Sequence, residues 1–145
     1  MSGRVVDVCV SEKKGERKKP VDQVVVRVAH GIVDDAHAGE WHRQISLLAI
    51  ESIRKMQEKG LDVSSGDFAE NITTEGIELP SLPIGTRLEI GDTLHEVTQI
   101  GKECHTRCAI YHQAGDCVMP REGIFVKVLR GGTIKRGDRI DVVAA

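Results

Sequence analysis

The chain has 145 residues, 40% of them hydrophobic and 29% charged, with a formal net charge of -2. This is the balance of a soluble globular domain; it excludes a disordered or collagen-like chain, and no apolar run approaches the ~20 residues of a membrane-spanning helix. The small net charge and only four aromatic residues (Trp41, Phe68, Tyr111 and Phe125) also argue against a nucleic-acid binder, which needs surplus cations and stacking rings.

Met1 to Asp7 lacks the charged-then-apolar build of a secretory leader, so a cytoplasmic location with no membrane partner is expected. Val5 to Val10 is predicted as a first strand. Val21 to Ala29 is predicted as a second, because Val24-Val25-Val26-Arg27-Val28 is β-branched nearly throughout. Ser11 to Pro20 between them is polar. It reads either as a solvated hairpin loop or as a basic lip that attracts an anionic ligand. His30 to Arg43 is irregular and rich in Gly, Asp and His, and a helix follows. Ser46 is its expected N-cap, Leu47, Ile50, Ile53 and Met56 form its apolar face, and Gly60 sits where a left-handed terminal residue belongs.

Beyond the helix, glycines bracket short apolar runs at Thr86 to Ile90, Thr93 to Ile100, Ile124 to Leu129 and Arg139 to Val143. Strands of this length between such turns predict a meander curling into a small barrel. The expected fold is a single domain over residues 1–145. It is mixed α/β and β-rich, with a barrel-like sheet core, one main helix and short additional helices.

Three stretches carry groups capable of chemistry. Gly101 to His112 holds Cys104, His105, Thr106, Arg107, Cys108 and His112, and Cys117 follows closely. A thiolate is both nucleophile and metal ligand, and adjacent positive charge lowers a thiol pKa, so Arg107 beside Cys108 favours a reactive or ligating sulfur. The alternatives are a structural zinc site, for which the paired ligand spacing is missing, and small buried hydrophobes. Cys9, between Val8 and Val10, reads as an ordinary buried strand residue. In His30 to Gln44, Asp35 with His37 and His42 can serve as ligands or an acid/base pair, or can simply satisfy loop backbone. In Gly66 to Gly76, Asn71, Thr73 and Thr74 offer neutral hydrogen-bonding groups.

Taken in order, these stretches resemble the MOSC family, the domain at the carboxyl end of molybdenum-cofactor sulfurases. The matching text is His30-Gly31-Ile32, Asp35-Ala36-His37-Ala38-Gly39 and His42-Arg43-Gln44-Ile45-Ser46-Leu47-Leu48. It continues through Gly66-Asp67-Phe68-Ala69-Glu70-Asn71-Ile72-Thr73-Thr74-Glu75-Gly76, the Cys104-to-Cys108 cluster and Pro120-Arg121-Glu122-Gly123-Ile124-Phe125. The resemblance covers nearly the whole chain and is to the small stand-alone bacterial type.

The resemblance implies a sulfur carrier or sulfur-transfer module that uses a reactive cysteine and binds the molybdenum, or tungsten, cofactor. Cys108 takes the cysteine role, as persulfide carrier or metal ligand. Arg107 precedes it, Cys104 is its companion, and Thr106 stands where cofactor-holding members usually have Pro. Asn71 corresponds to a position near the pterin, with Thr73 its neighbour. Arg43, Arg107 and Arg121 are candidates for the pterin phosphate, since Arg binds phosphate bidentately, and His37 and Asp35 complete the candidate cofactor contacts. A fused pyridoxal-phosphate desulfurase is not expected in this chain. Its partners would therefore be a sulfur donor in trans, such as a cysteine desulfurase, and a recipient molybdenum enzyme or cofactor-biosynthesis protein. The alternative reading is a non-catalytic storage or insertion chaperone for molybdate or the cofactor.

Overall fold

A computed structural model describes residues 2–13, 17–101 and 122–144. In chain order its elements are β1 (Ser2–Val10), β2 (Lys19–Val21), β3 (Gln23–Arg27), β4 (Gly31–Ile32), β5 (Ile45–Ala49), α1 (Ile50–Glu58) and β6 (Ile72–Glu75). A short 3-10 turn at Leu79–Ser81 follows, and then β7 (Arg87–Ile90), β8 (Thr93–Ile100), β9 (Ile124–Arg130), β10 (Gly132–Lys135) and β11 (Arg139–Ala144).

Seven strands close into a barrel in the order β1-β11-β7-β8-β9-β5-β6 and back to β1. Among the described residues, closure gives each of these seven strands a neighbour on both sides and leaves β2 as the edge of the sheet. Its one parallel pair among the described residues is β5–β6, which requires a crossover connection, and α1 lies in that connection. β2 extends from β1, while β3, β4 and β10 form a separate three-stranded sheet.

The expected β-rich barrel with one main helix is therefore the observed fold, with two local corrections. The helix begins at Ile50, not Leu47, and its cap residue is Ala49, which makes no side-chain cap bond. Ile45–Ala49 is instead a strand with all five residues buried. Ile45, Leu47 and Ala49 face the barrel core, while Leu48 joins a second cluster with Ile53, Met56, Val63, Phe68 and Phe125. A strand buried on both faces shows no period-two alternation, so its apolar residues blend into the helical pattern that follows. The second predicted strand is likewise split at Asp22. Its β3 portion alternates buried Val24 and Val26 with exposed Gln23, Val25 and Arg27, so it is covered on one face only. The short additional helices expected beside α1 are represented among the described residues by the 3-10 turn and by Glu122, which is helical.

Candidate functional site

The cysteine cluster lies between β8 and β9, and the ends of that connection are tied together. The Gly101 amide donates to the Gly123 carbonyl at 2.6 Å, beyond the Ile100–Ile124 pair. Gly101 and Gly123, on either side of residues 102–121, are thus held against each other at one narrow neck. Cys104, Thr106, Arg107, Cys108 and Arg121, with Cys117, lie outside the described residues.

What surrounds the neck is well defined. Gln99, on β8, donates from Nε2 to the Gly101 carbonyl at 2.8 Å. Its Oε1 accepts from Arg43 Nε at 3.0 Å and from His42 Nε2 at 2.9 Å. The Arg43 guanidinium lies over the Phe125 ring, 5.3 Å from its centroid, within cation–π range. Thr98 Oγ1 donates to the His42 carbonyl, fastening the same loop to β8. At Glu122, the residue before Gly123, the carboxylate accepts from Ser52 Oγ at 2.6 Å and Lys55 Nζ at 3.0 Å, both on α1. These residues border a cleft of about 520 Å³ whose apolar wall is Ala49, Ile77 and Leu79.

Asp35 and His37 do come together, around a residue that sequence reasoning missed. Lys18, in the stretch predicted to be a solvated loop, is 2% exposed. Its Nζ donates to Asp35 Oδ1 at 2.8 Å, Ser11 Oγ at 3.0 Å and His37 Nδ1 at 2.9 Å. The Ser11 and His37 amides donate to Asp35 Oδ1 and Oδ2, each at 3.1 Å. Burial by itself would raise the Asp35 pKa. The Lys18 hydrogen bond and charge, with the two amides, outweigh it and hold the carboxyl below its usual range. Asp35 thereby pins the His30–Arg43 loop to the end of β1.

Asn71 and Thr73 form a third buried group. Asn71 Oδ1 accepts from the Ser46 amide at 3.0 Å and from Ser46 Oγ at 3.2 Å. Its Nδ2 donates to the Cys9 carbonyl at 3.1 Å. Ser46, expected as a helix cap, instead joins β5 to the start of β6. Thr73 Oγ1 donates at 3.0 Å to Glu70, a carboxyl with no solvent exposure whose pKa burial pushes up to about 7 against its hydrogen bonds. Leu47 on β5 pairs with Ile72 on one side and Ile124 on the other, so the Asn71 end of β6 and the neck lie about two strand spacings apart, roughly 10 Å.

Gln99, Lys18 and Glu70 were not legible as site residues. Gln99 follows the alternation of a strand, Lys18 sits in a run of cations, and Glu70 in a polar turn. Only contacts between segments distant in sequence reveal them. Among the described residues, no cluster of three His, Cys, Asp or Glu side chains could hold a metal ion, and no helix is long and apolar enough to cross a membrane.

Comparison with known proteins adds a family and a fold. A family model described as the MOSC domain matches residues 34–141, about three quarters of the chain. The structure is similar to that of the YuaD protein from Bacillus subtilis, with a TM-score of 0.83 and 19% identity over 100% of this chain and 97% of that one. It is also similar to YiiM from Geobacillus stearothermophilus, with a TM-score of 0.71 and 21% identity over 97% of this chain and 75% of that one. YiiM from Escherichia coli gives 0.70 and 17%, over 100% and 71%. No curated protein matches the sequence.

Proposed function

Because the chain belongs to the MOSC domain family, which is associated with the molybdenum cofactor, we propose that it is a sulfur-transfer module that works through Cys108 and handles the molybdenum or tungsten cofactor. The observation that supports this reading is the Gly101–Gly123 bond of 2.6 Å. It brings the two ends of the cysteine-bearing segment to one place on the barrel, next to the Arg43–Gln99–His42 group.

In this reading Cys108 is the acceptor and Arg107 keeps it ionised. The thiolate attacks the terminal sulfur of a donor's cysteine persulfide. A new sulfur–sulfur bond forms on Cys108, the donor's sulfur–sulfur bond breaks, and the donor cysteine leaves as a thiolate. The donor is a cysteine desulfurase in trans, and the recipient is a molybdenum enzyme or cofactor-biosynthesis protein. Cys104, four residues before Cys108 in the sequence, is the companion thiol that would resolve or share the sulfur.

The residues present suit the cofactor in two respects. A thiolate is a soft donor fit for molybdenum, and Arg43 is a half-buried cation fit for a phosphate. When bound, the cofactor would supply the metal that accepts or carries sulfur. Arg107, Thr106 and Arg121 are the proposed contacts from the cysteine segment. Asn71, Thr73, Asp35 and His37 act in this reading by holding β1, β6 and the His30–Arg43 loop in place, since their polar atoms have partners inside the protein.

The test is an intact-mass measurement after incubation with a cysteine desulfurase and free cysteine. Wild type should gain the mass of one sulfur atom and Cys108→Ala should not. No gain on wild type, or equal gain on the variant, overturns the sulfur-carrier reading. Cofactor binding that survives Cys108→Ala would support the storage or insertion chaperone instead.

A further inference from the structure

We infer that Gln99 is the positioning residue of an oxyanion site built on Arg43, and that the site takes a tetrahedral dianion of the phosphate-monoester kind. The inference rests on the assignment of Arg43 to a phosphate in the reading above and supplies the residue that makes the assignment work. Arg43 is half-buried, and among the described residues no carboxylate lies within ion-pair distance of it. A partly desolvated guanidinium without an internal counter-charge favours an external anion.

The orientation of that guanidinium is determined by its neighbours. Nε donates to Gln99 Oε1 at 3.0 Å and the plane rests on Phe125, itself only 7% exposed. With Nε engaged, the Nη1 and Nη2 edge remains, and it carries no hydrogen bond among the described residues. That edge presents two parallel N–H groups, which match two oxygens of a tetrahedral anion.

Gln99 cannot be turned round in this network. Its Oε1 faces two donors, Arg43 Nε and His42 Nε2, while its Nε2 faces an acceptor, the Gly101 carbonyl at 2.8 Å. A flipped amide would set its NH2 against both donors. One neutral side chain thus orients the cation without cancelling its charge, and the same side chain holds the backbone at Gly101. A carboxylate at position 99 would orient Arg43 equally well but would neutralise it.

Inorganic phosphate titrated calorimetrically into the full chain, with chloride at matched ionic strength as control, tests this. Wild type should show saturable binding that Arg43→Ala abolishes. Gln99→Met should weaken binding about tenfold, the loss of one hydrogen bond to a charged group. Gln99→Glu should weaken it more: it keeps the acceptor for Arg43 Nε but neutralises the cation, and it loses the donation to the Gly101 carbonyl. In the Arg43→Ala background, Gln99→Met should have no further effect, because Gln99 acts through Arg43. Thermal melts identify folded variants, and Gln99→Glu carries the test if Gln99→Met does not fold. Absence of saturable binding in wild type, binding that survives Arg43→Ala, or folded Gln99 variants with wild-type affinity would overturn the inference. Phosphate binding does not involve Cys108, so failure here leaves the sulfur-loading result standing, and failure of sulfur loading leaves this one.

Discussion

Lys18 and Asp35 form an ion pair of 2.8 Å in which the side chains are 1% and 0% exposed. The three N–H groups of the ammonium meet three acceptors, on Asp35, Ser11 and His37. Because His37 Nδ1 accepts from a cation, its proton sits on Nε2. A buried charge is tolerated only when paired and fully hydrogen-bonded, and this pair meets both conditions.

Removing one partner leaves the other charged and buried. Lys18→Met or Asp35→Leu should each cost about 3–5 kcal/mol, read from urea denaturation midpoints. The double variant Lys18→Met/Asp35→Leu should recover a good part of that loss, since two apolar side chains leave no stranded charge. A double variant as unstable as the sum of the singles would refute the account.

Glu70 makes stability fall as pH rises from mildly acidic to neutral. Its folded pKa, about 7, lies above its ordinary value of 4.5 because burial penalises the charged form. The folded state therefore binds its proton more tightly than the unfolded state. The associated stability is complete below pH 4.5 and is lost as pH rises through 7. Glu70→Gln should remove this loss. Between pH 5 and 8 the variant's unfolding free energy should fall less than that of wild type.

His95 acts in the opposite direction. It is fully buried on β8, and burial, with Arg130 nearby, pushes its pKa down from 6.5 to about 4. Thr93 Oγ1 donates to the Ile90 carbonyl at 2.7 Å, so at its 2.7 Å contact with His95 it accepts from Nε2–H. Nδ1 is then a buried acceptor without a partner among the described residues. The depressed pKa means that neutral His95 contributes fully above pH 6.5, and the contribution is lost between 6.5 and 4, by roughly 3 kcal/mol. His95→Gln should lack that acid slope in denaturation curves taken at pH 7, 5.5 and 4.

The cysteines should separate by reactivity. Cys9 is fully buried, and burial, reinforced by Glu70, raises its thiol pKa. Limiting alkylation near neutral pH, followed by peptide mapping, should label Cys108 first and Cys9 last. Modification of Cys9 at the rate of Cys108 would remove the physical basis for placing the reactive thiol at position 108.

Gly66 has a steric role. Its φ is +90°, and a Cβ there would sit 2.1 Å from the Lys18 carbonyl oxygen. Gly66→Ala should therefore destabilise the protein through both strain and clash, and should also disturb the Lys18–Asp35 pair, detected as a further loss of stability that Lys18→Met/Asp35→Leu partly masks.

The strands at Val5, Thr93 and Ile124, the glycine-bracketed turns and the apolar face at Ile53 and Met56 were legible because they are local. Chain stiffness, side-chain periodicity and turn chemistry are properties of neighbouring residues. The ordered motifs from His30 to Phe125 likewise identified the family, while the expectation that Arg107 makes Cys108 the reactive thiol falls outside the described residues. Tertiary structure decided the rest. Ile45–Ala49 became a strand because barrel and helix both cover it, which no pattern along the chain distinguishes from a buried helix. Lys18 left solvent because Asp35, 17 residues away, offers it a counter-charge inside the protein. Gln99 gained its role from residues 56 and 57 positions distant. Hydrogen bonds and ion pairs of this kind depend on distance in space, and closure of the barrel brings those segments together.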